Sequence, residues 1–386
     1  MVKENEELSL FDEEEEECEH TQLKDVTFVH NDFNVSTIYS LIDSGQVKIP
    51  PFQRNFVWEI GTASRLIESI IYGLPIPQVF LYEEKKNEFQ IIDGQQRLLS
   101  IFFFMKEKFP TKIGKQKLRS KLLGNSKINE EFFENEELFS KFNLKFVPAV
   151  SGQKNSLEGL TYSTLEDGIK WDFDYRPIRC VVIKQSSKDP VKEPIYEIFN
   201  RLNTGGQKLT PQEIRMSLFH SYFLEKIMDV NDDCRWRRLL NVDKPEIHFK
   251  DVESILRGLA MLVSHEEYKP PMYRFLNGFT FDYGDKIAEV DYLMKLFGAF
   301  LDCCSDLDQS DFASKSGKFN ISLFESIFVA TCEEEYLKKS FPNKTITKVS
   351  IKTLKENYAF QAASQDSVAS KNSVRIRIDT AKKIMR

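Results

Sequence analysis

The densest chemical signal in the chain is Ile91-Ile92-Asp93-Gly94-Gln95-Gln96-Arg97-Leu98-Leu99. An apolar strand meets a glycine, and two amides and an arginine then open an apolar helix. Such a turn points backbone N–H groups and the positive end of a helix dipole at an anion. Arg97 can grip a phosphate with two parallel hydrogen bonds, and the Gln95 and Gln96 amides can donate to it. Asp93 adds a carboxylate able to hold Mg²⁺ or another divalent metal, or to orient a water. The same residues admit a plainer reading. Asp93 and Gly94 then only shape the strand-to-helix turn, and Arg97 pairs with a local acid.

A second polar group is Phe52-Gln53-Arg54, stiffened by Pro50 and Pro51. Arg54 is either a second cation converging on the same phosphate or a surface arginine on an extended edge. A third group runs Phe199-Asn200-Arg201-Leu202-Asn203-Thr204-Gly205-Gly206-Gln207-Lys208-Leu209-Thr210. Here helix-stop and turn chemistry accounts for most of the residue choices. Three basic stretches could face a phosphate backbone or simply solvent. They are residues 111–128 with six cations and no acid, Arg235-Trp236-Arg237-Arg238, and residues 371–386 with a net charge of +5. For the Arg-Trp-Arg-Arg cluster, pairing with the nearby Asp232 and Asp233 is the commoner outcome.

These groups need elements to position them. Residues 35–44 have helical apolar spacing, with Ser36 as cap and Gly45 as stop. The prolines make 48–58 extended. Leu66, Ile67, Ile70 and Ile71 share one face of a helix over 62–72 that ends at Gly73. Strands at 78–82 and 88–92 flank a Lys85-Lys86-Asn87 turn, and an apolar helix follows to about 108. Residues 111–128 read as a polar loop, and 143–185 as mostly β, ending in a buried strand at 178–184. After Pro190 the chain turns helical, with a capping box at Thr210-Pro211-Gln212-Glu213. Residues 211–340 read as several helices.

A hydrophobic share of 41% and a charged share of 29% describe a folded chain rather than a disordered one. The longest nearly apolar run, 98–105, is far short of the roughly 20 residues a membrane helix needs. No secretory signal pattern opens the sequence, so a cytoplasmic protein is expected. Six cysteines without a C-x-x-C pair point to reduced, buried thiols. The net charge of −6 is uneven: residues 1–20 hold ten acids against Lys3, and the rest carries 52 bases and 49 acids. Residues 1–25 are expected to be a disordered acidic tail that either solubilises the protein or shields a basic surface.

Taken in order, I-P-P-F-Q-R-N-F-V-W, I-I-D-G-Q-Q-R-L and F-N-R-L-N-T-G-G-Q-K-L-T-P-Q-E-I resemble the GmrSD restriction endonuclease N-terminal domain family. The resemblance covers roughly residues 30–220. It implies an α/β (α+β) ParB/sulfiredoxin-like N-terminal domain over 26–190; the few strand signals beyond it predict an all-helical C-terminal domain over 191–386. It further implies binding and hydrolysis of a nucleoside triphosphate, coupled to restriction of modified phage DNA. Carried over by position, Asp93, Gly94, Gln95, Gln96 and Arg97 would form the nucleotide turn, with Gln53 and Arg54 beside it. The expected mechanism then takes Arg97 to hold the phosphates and Asp93 to position the metal or water as the catalytic residues.

Two departures bear on activity. Sulfiredoxin chemistry needs a cysteine where this chain has Gln95, so that reaction is excluded. His20, His30, His220, His248 and His265 have no paired metal-ligand spacing, so no HNH nuclease module is visible. The expectation is therefore a possible nucleoside triphosphatase acting with DNA and a separate nuclease partner. Its rivals are a non-catalytic nucleotide- or DNA-binding module that recruits such a nuclease, and a DNA-mimicking inhibitor built on the acidic tail.

Overall fold

The computed structural model of the chain describes residues 26–48, 56–122, 130–146, 155–185, 193–202, 209–219, 221–246, 248–314, 316–365 and 368–385. The acidic tail, Gln53, Arg54 and the turn at 203–208 lie outside the described residues. The chain divides into two units. One holds Thr21–Leu209 with Met216–Leu218, the other Thr210–Arg215 with Phe219–Arg386.

The first unit is built on a five-stranded mixed sheet. Its strands in chain order are β1 (Val26–Asn34), β2 (Val47–Lys48), β3 (Val79–Lys85), β4 (Glu88–Asp93) and, later, β7 (Pro177–Gln185). They lie in the order β1-β7-β3-β4-β2, with β1/β7 and β3/β4 antiparallel and β7/β3 and β4/β2 parallel. A short antiparallel pair, β5 (Lys108–Pro110) and β6 (Phe139–Lys141), stands apart from it. Alternation along each strand decides the faces. Val79, Leu81, Phe89, Ile91, Ile178, Cys180 and Val182 point into one apolar core.

Helices α1 (Val35–Asp43), α2 (Ile60–Ile71) and α3 (Gln95–Met105) contribute to that core. The α1 cap is Asn34 rather than Ser36. Its Oδ1 accepts from Thr37 N at 2.8 Å and from the Ser36 hydroxyl at 3.1 Å, so the helix starts one residue before Ser36. Gly45 stops the chain at φ +77°, as its type requires. Helix α2 buries Ala63, Leu66, Ile67, Ile70 and Ile71 on one face, the face read from the sequence. In α3 the burial is nearly continuous from Leu98 to Phe104. Phe103 meets Phe56 edge-on at 5.1 Å, and Phe104 meets Phe142 at 5.4 Å. Each such ring contributes about 1.5–3 kcal/mol by leaving water, so α3 is the member around which this unit packs.

The basic stretch after residue 110 is a helix, α4 (Lys112–Leu122), not a loop. Thr111 starts it by accepting from Gly114 N at 3.1 Å. Helix α5 (Glu130–Glu134) is short. The region read as mostly β contains instead a 3₁₀ turn at Tyr162–Thr164 and α6 (Asp167–Tyr175), and β7 is its only strand among the described residues. Trp171, Phe173 and Tyr175 alternate with polar residues as a strand would. Only Phe173 is buried, with the Trp171 and Tyr175 rings tilted against each other on the outside. Helix α7 (Glu193–Leu202) packs against β4 and so belongs to this unit.

The second unit is helical. It comprises Pro211–Arg215 of α8 (Pro211–Leu218), α9 (Tyr222–Asn231), α10 (Cys234–Leu240), α11 (Lys250–Ser264), α12 (Met272–Tyr283) and α13 (Ile287–Cys303). Then follow α14 (Gln309–Phe312), α15 (Ile321–Lys338), α16 (Lys348–Glu356), α17 (Tyr358–Ala362) and α18 (Lys371–Met385). The expected capping box starts α8: Glu213 N donates to Thr210 Oγ1 at 3.2 Å, and Thr210 N donates to Glu213 Oε2 at 2.7 Å. Helix α15 packs on α11 and α18, and α9 on α13. An α+β N-terminal part and a helical C-terminal part are thus both present.

Candidate functional site

β4 ends at Asp93, paired opposite Phe80 of β3. Gly94 then turns the chain with φ +97°. A Cβ there would lie 2.9 Å from Val79 Cγ2 and 3.1 Å from Arg97 Nη2. Both backbone conformation and space therefore require glycine. Helix α3 begins at Gln95, and Gly94 offers no side chain to cap it. The positive end of the helix dipole therefore lies at this turn.

Arg97 lies across this turn. Its Nη2 donates to Asp93 Oδ2 at 3.0 Å and to the Gln78 carbonyl at 3.1 Å. Its Nε is buried and has no hydrogen-bond partner among the described residues. The local ion pair foreseen as the plainer reading is therefore present. Even so, it leaves one guanidinium donor without an acceptor. Asp93 is the more open member of the pair, its side chain 43% exposed against 16% for Arg97.

Gln96 does something the sequence did not suggest. Its Oε1 accepts the backbone N–H groups of Val57 at 3.0 Å and Trp58 at 3.3 Å. Lys115 of α4 holds the same segment from its carbonyl side, with Nζ 2.9 Å from Trp58 O and 3.2 Å from Glu59 Oε1. Phe56 anchors it in the core against Phe103 and Phe109. Residues 56–59 are thus fixed between the Gly94 turn and α4, directly after the segment that carries Gln53 and Arg54. Gln95, read as a ligand contact, is buried within the unit.

With this geometry in view, residues 35–220 match the family described as GmrSD restriction endonuclease, N-terminal domain. This part of the chain belongs to that family. No curated relative matches the chain significantly. The GmrSD-type match spans α1 to the end of α8 and includes the whole Gly94 turn. A restriction-family domain is compatible with DNA as a partner. Among the described residues no helix is long and apolar enough to cross a membrane.

Donor chemistry limits what metal the GmrSD-type turn could take. Among the described residues no three His, Cys, Asp or Glu side chains group together as ligands. Asp93 supplies a single carboxylate. That fits Mg²⁺, which keeps several waters and takes its other oxygens from phosphates, better than a cation needing a protein-built cage.

The other basic candidates are largely engaged inside the helical unit. Trp236 is fully buried among Phe297, Phe319 and Phe324 and donates to Asn231 Oδ1 at 3.1 Å. Arg237 pairs with buried Asp251 at 2.8 Å, Arg235 with Asp233 at 2.6 Å, and Arg238 donates to Cys304 O at 3.0 Å. Stacking on a base is closed to this tryptophan. In α18, Arg377 is buried and donates to the Ala363 and Val368 carbonyls, both at 2.8 Å, and Lys382 pairs with Glu333 at 2.6 Å. The +5 stretch is therefore not a continuous phosphate-binding edge. Of the described cysteines, Cys180, Cys303, Cys304 and Cys332 are buried as expected, while Cys234 is exposed. Burial pushes the Cys180 thiol up to about 12, and it raises the Cys303, Cys304 and Cys332 thiols as well.

Proposed function

We propose that the Gly94 turn binds the phosphates of a nucleoside triphosphate, and that the protein hydrolyses it in a restriction system directed at modified foreign DNA. The observation that carries the reading is the buried Arg97 Nε left without an acceptor beside an uncapped helix start. A bound phosphate oxygen supplies the missing acceptor. The amides of the turn and the helix dipole hold the rest of its charge.

In this reading phosphate and Asp93 compete for Arg97. When phosphate takes the guanidinium, Asp93 is released; it would then hold Mg²⁺ or orient the attacking water. Bound Mg²⁺ would neutralise charge on the phosphates. Gln96 acts through the backbone by holding residues 57 and 58, and Gln53 is a further nucleotide contact. Arg54 then offsets charge that develops on the transferred phosphoryl group.

Purified protein is tested with each nucleoside triphosphate, Mg²⁺ and DNA, measuring bound nucleotide and released phosphate separately. Arg97→Ala should lose both; wild-type turnover in that variant removes the assignment. A second reading, nucleotide binding without hydrolysis and recruitment of a separate nuclease, draws on the closed Asp93–Arg97 pair, in which the would-be catalytic carboxylate is already neutralised. Binding without phosphate release selects it.

A further inference from the structure

Gln212 and Arg215 of α8 and Asn277 of α12 belong to the helical unit, and all three are fully buried. Arg215 Nε donates to Asn277 Oδ1 at 2.9 Å. Its Nη1 donates to Gln212 Oε1 and approaches Glu253 Oε2 at 3.5 Å. These bonds settle which end of each amide is which: both oxygens face the guanidinium. Three donors remain. Arg215 Nη2, Gln212 Nε2 and Asn277 Nδ2 are buried without a hydrogen-bond partner among the described residues. Native proteins rarely leave one such group uncompensated, and here three occur on directly hydrogen-bonded side chains.

We propose that a small monovalent anion, chloride or a similar halide, sits against these three donors. Both amides are hydrogen-bonded through their oxygens to one guanidinium, which leaves both nitrogens in its neighbourhood. Water fits this set poorly. It accepts about two hydrogen bonds and brings two protons that need acceptors of their own. A halide accepts from all three donors and brings no proton. The Arg215 guanidinium supplies the positive charge that such an ion needs. Complete burial of the three side chains selects a bare ion over a nucleotide or an organic acid. Gln212 and Arg215 come from the T-P-Q-E-I-R run, so part of that motif builds an ion site rather than a nucleotide contact.

Thermal unfolding of the full chain in sodium bromide or chloride, against sodium gluconate at equal ionic strength, tests the site. The wild-type midpoint should rise by roughly 3 °C for each tenfold increase in halide above saturation. Asn277→Asp replaces the Nδ2 donor with a carboxylate oxygen. That variant should unfold at the same temperature in halide and gluconate. Crystals soaked in bromide should show an anomalous peak within hydrogen-bonding distance of Arg215 Nη2, which decides the matter even if the variant does not fold. Equal wild-type midpoints in halide and gluconate with no bromide peak, a water only at that position, or a halide response unchanged in Asn277→Asp overturns the proposal.

Discussion

Gln96 accepts the backbone N–H of Val57 at 3.0 Å, across 39 residues of sequence. The hydrogen bond ties the start of α3 to the chain that enters α2. The second glutamine of the D-G-Q-Q-R run is therefore a bracket before it is anything else. Gln96→Leu removes the acceptor from Val57 N and Trp58 N, a loss of about 1 kcal/mol in stability. Nucleotide affinity should fall more steeply, at least roughly tenfold or about 1.4 kcal/mol, because the Gln53-Arg54 segment loses its fixed end. Urea unfolding and titration calorimetry measure the two effects. Unchanged affinity would show that the bracket serves the fold alone.

Gly94 is the least replaceable position in the turn. Alanine at φ +97° costs about 1–2 kcal/mol in backbone energy. Its methyl, 2.9 Å from Val79 Cγ2, adds a further ~1–3 kcal/mol of overpacking. Gly94→Ala should lower the urea midpoint accordingly, whereas Gly45→Ala, with open space around it, should show only the backbone part. Equal losses at the two positions would remove the argument from close packing.

Asp93→Asn separates the two tasks assigned to that carboxylate. An i,i+4 pair this exposed contributes roughly 0.3–0.5 kcal/mol, so the fold should hardly notice. Phosphate no longer competes with Asp93 for Arg97, and nucleotide should bind somewhat more tightly. Phosphate release should fall roughly 10²-fold or more if Asp93 orients the water. Filter binding alongside a phosphate-release assay reads both. Weaker binding together with normal turnover would overturn both roles.

Thiol chemistry supplies a pH test. Burial raises Cys180 to about 12, so folding favours its protonated form. The associated stability is complete below the unfolded thiol value near ~8.5 and is lost as pH rises toward 12. Cys180→Ala should therefore narrow its difference from wild type between these limits on the alkaline side, with no such trend below pH 8. Iodoacetamide at pH 8 should alkylate Cys234 in the native protein and spare Cys180, Cys303, Cys304 and Cys332 until denaturant is added. Mass spectrometry of the digested protein reads the pattern, and rapid native labelling of Cys180 would contradict it.

What could be read from the residues alone was local. The α2 stripe, the β3–β4 hairpin and the Thr210 box depend on neighbours within a few positions, and they were legible. So was the Asp93-to-Arg97 turn, whose glycine and i,i+4 ion pair are both local. The Gln96 and Lys115 holds on residues 57 and 58 were not, because their partners lie 38 to 57 residues away. Lys115 looked like one more cation in a solvated stretch. Its place over the Phe56 and Phe109 rings, 5.7 Å from each centroid, is a property of the packed unit. Trp171-Asp172-Phe173-Asp174-Tyr175 misled for another reason. Period-two alternation usually marks a strand, yet here one central aromatic is enough to seat a helix.

Gly114 carries a consequence for sequence variation. A Cβ at this position would lie 1.9 Å from the Leu138 carbonyl oxygen, so the backbone of α4 rests directly on that of the chain entering β6. No rotamer change relieves a clash between main-chain atoms. Any relative with a side chain at this site must carry its basic helix elsewhere, and with it the lysine that grips Trp58. One glycine thus marks, by its presence or loss, which members of the family hold that segment from both sides.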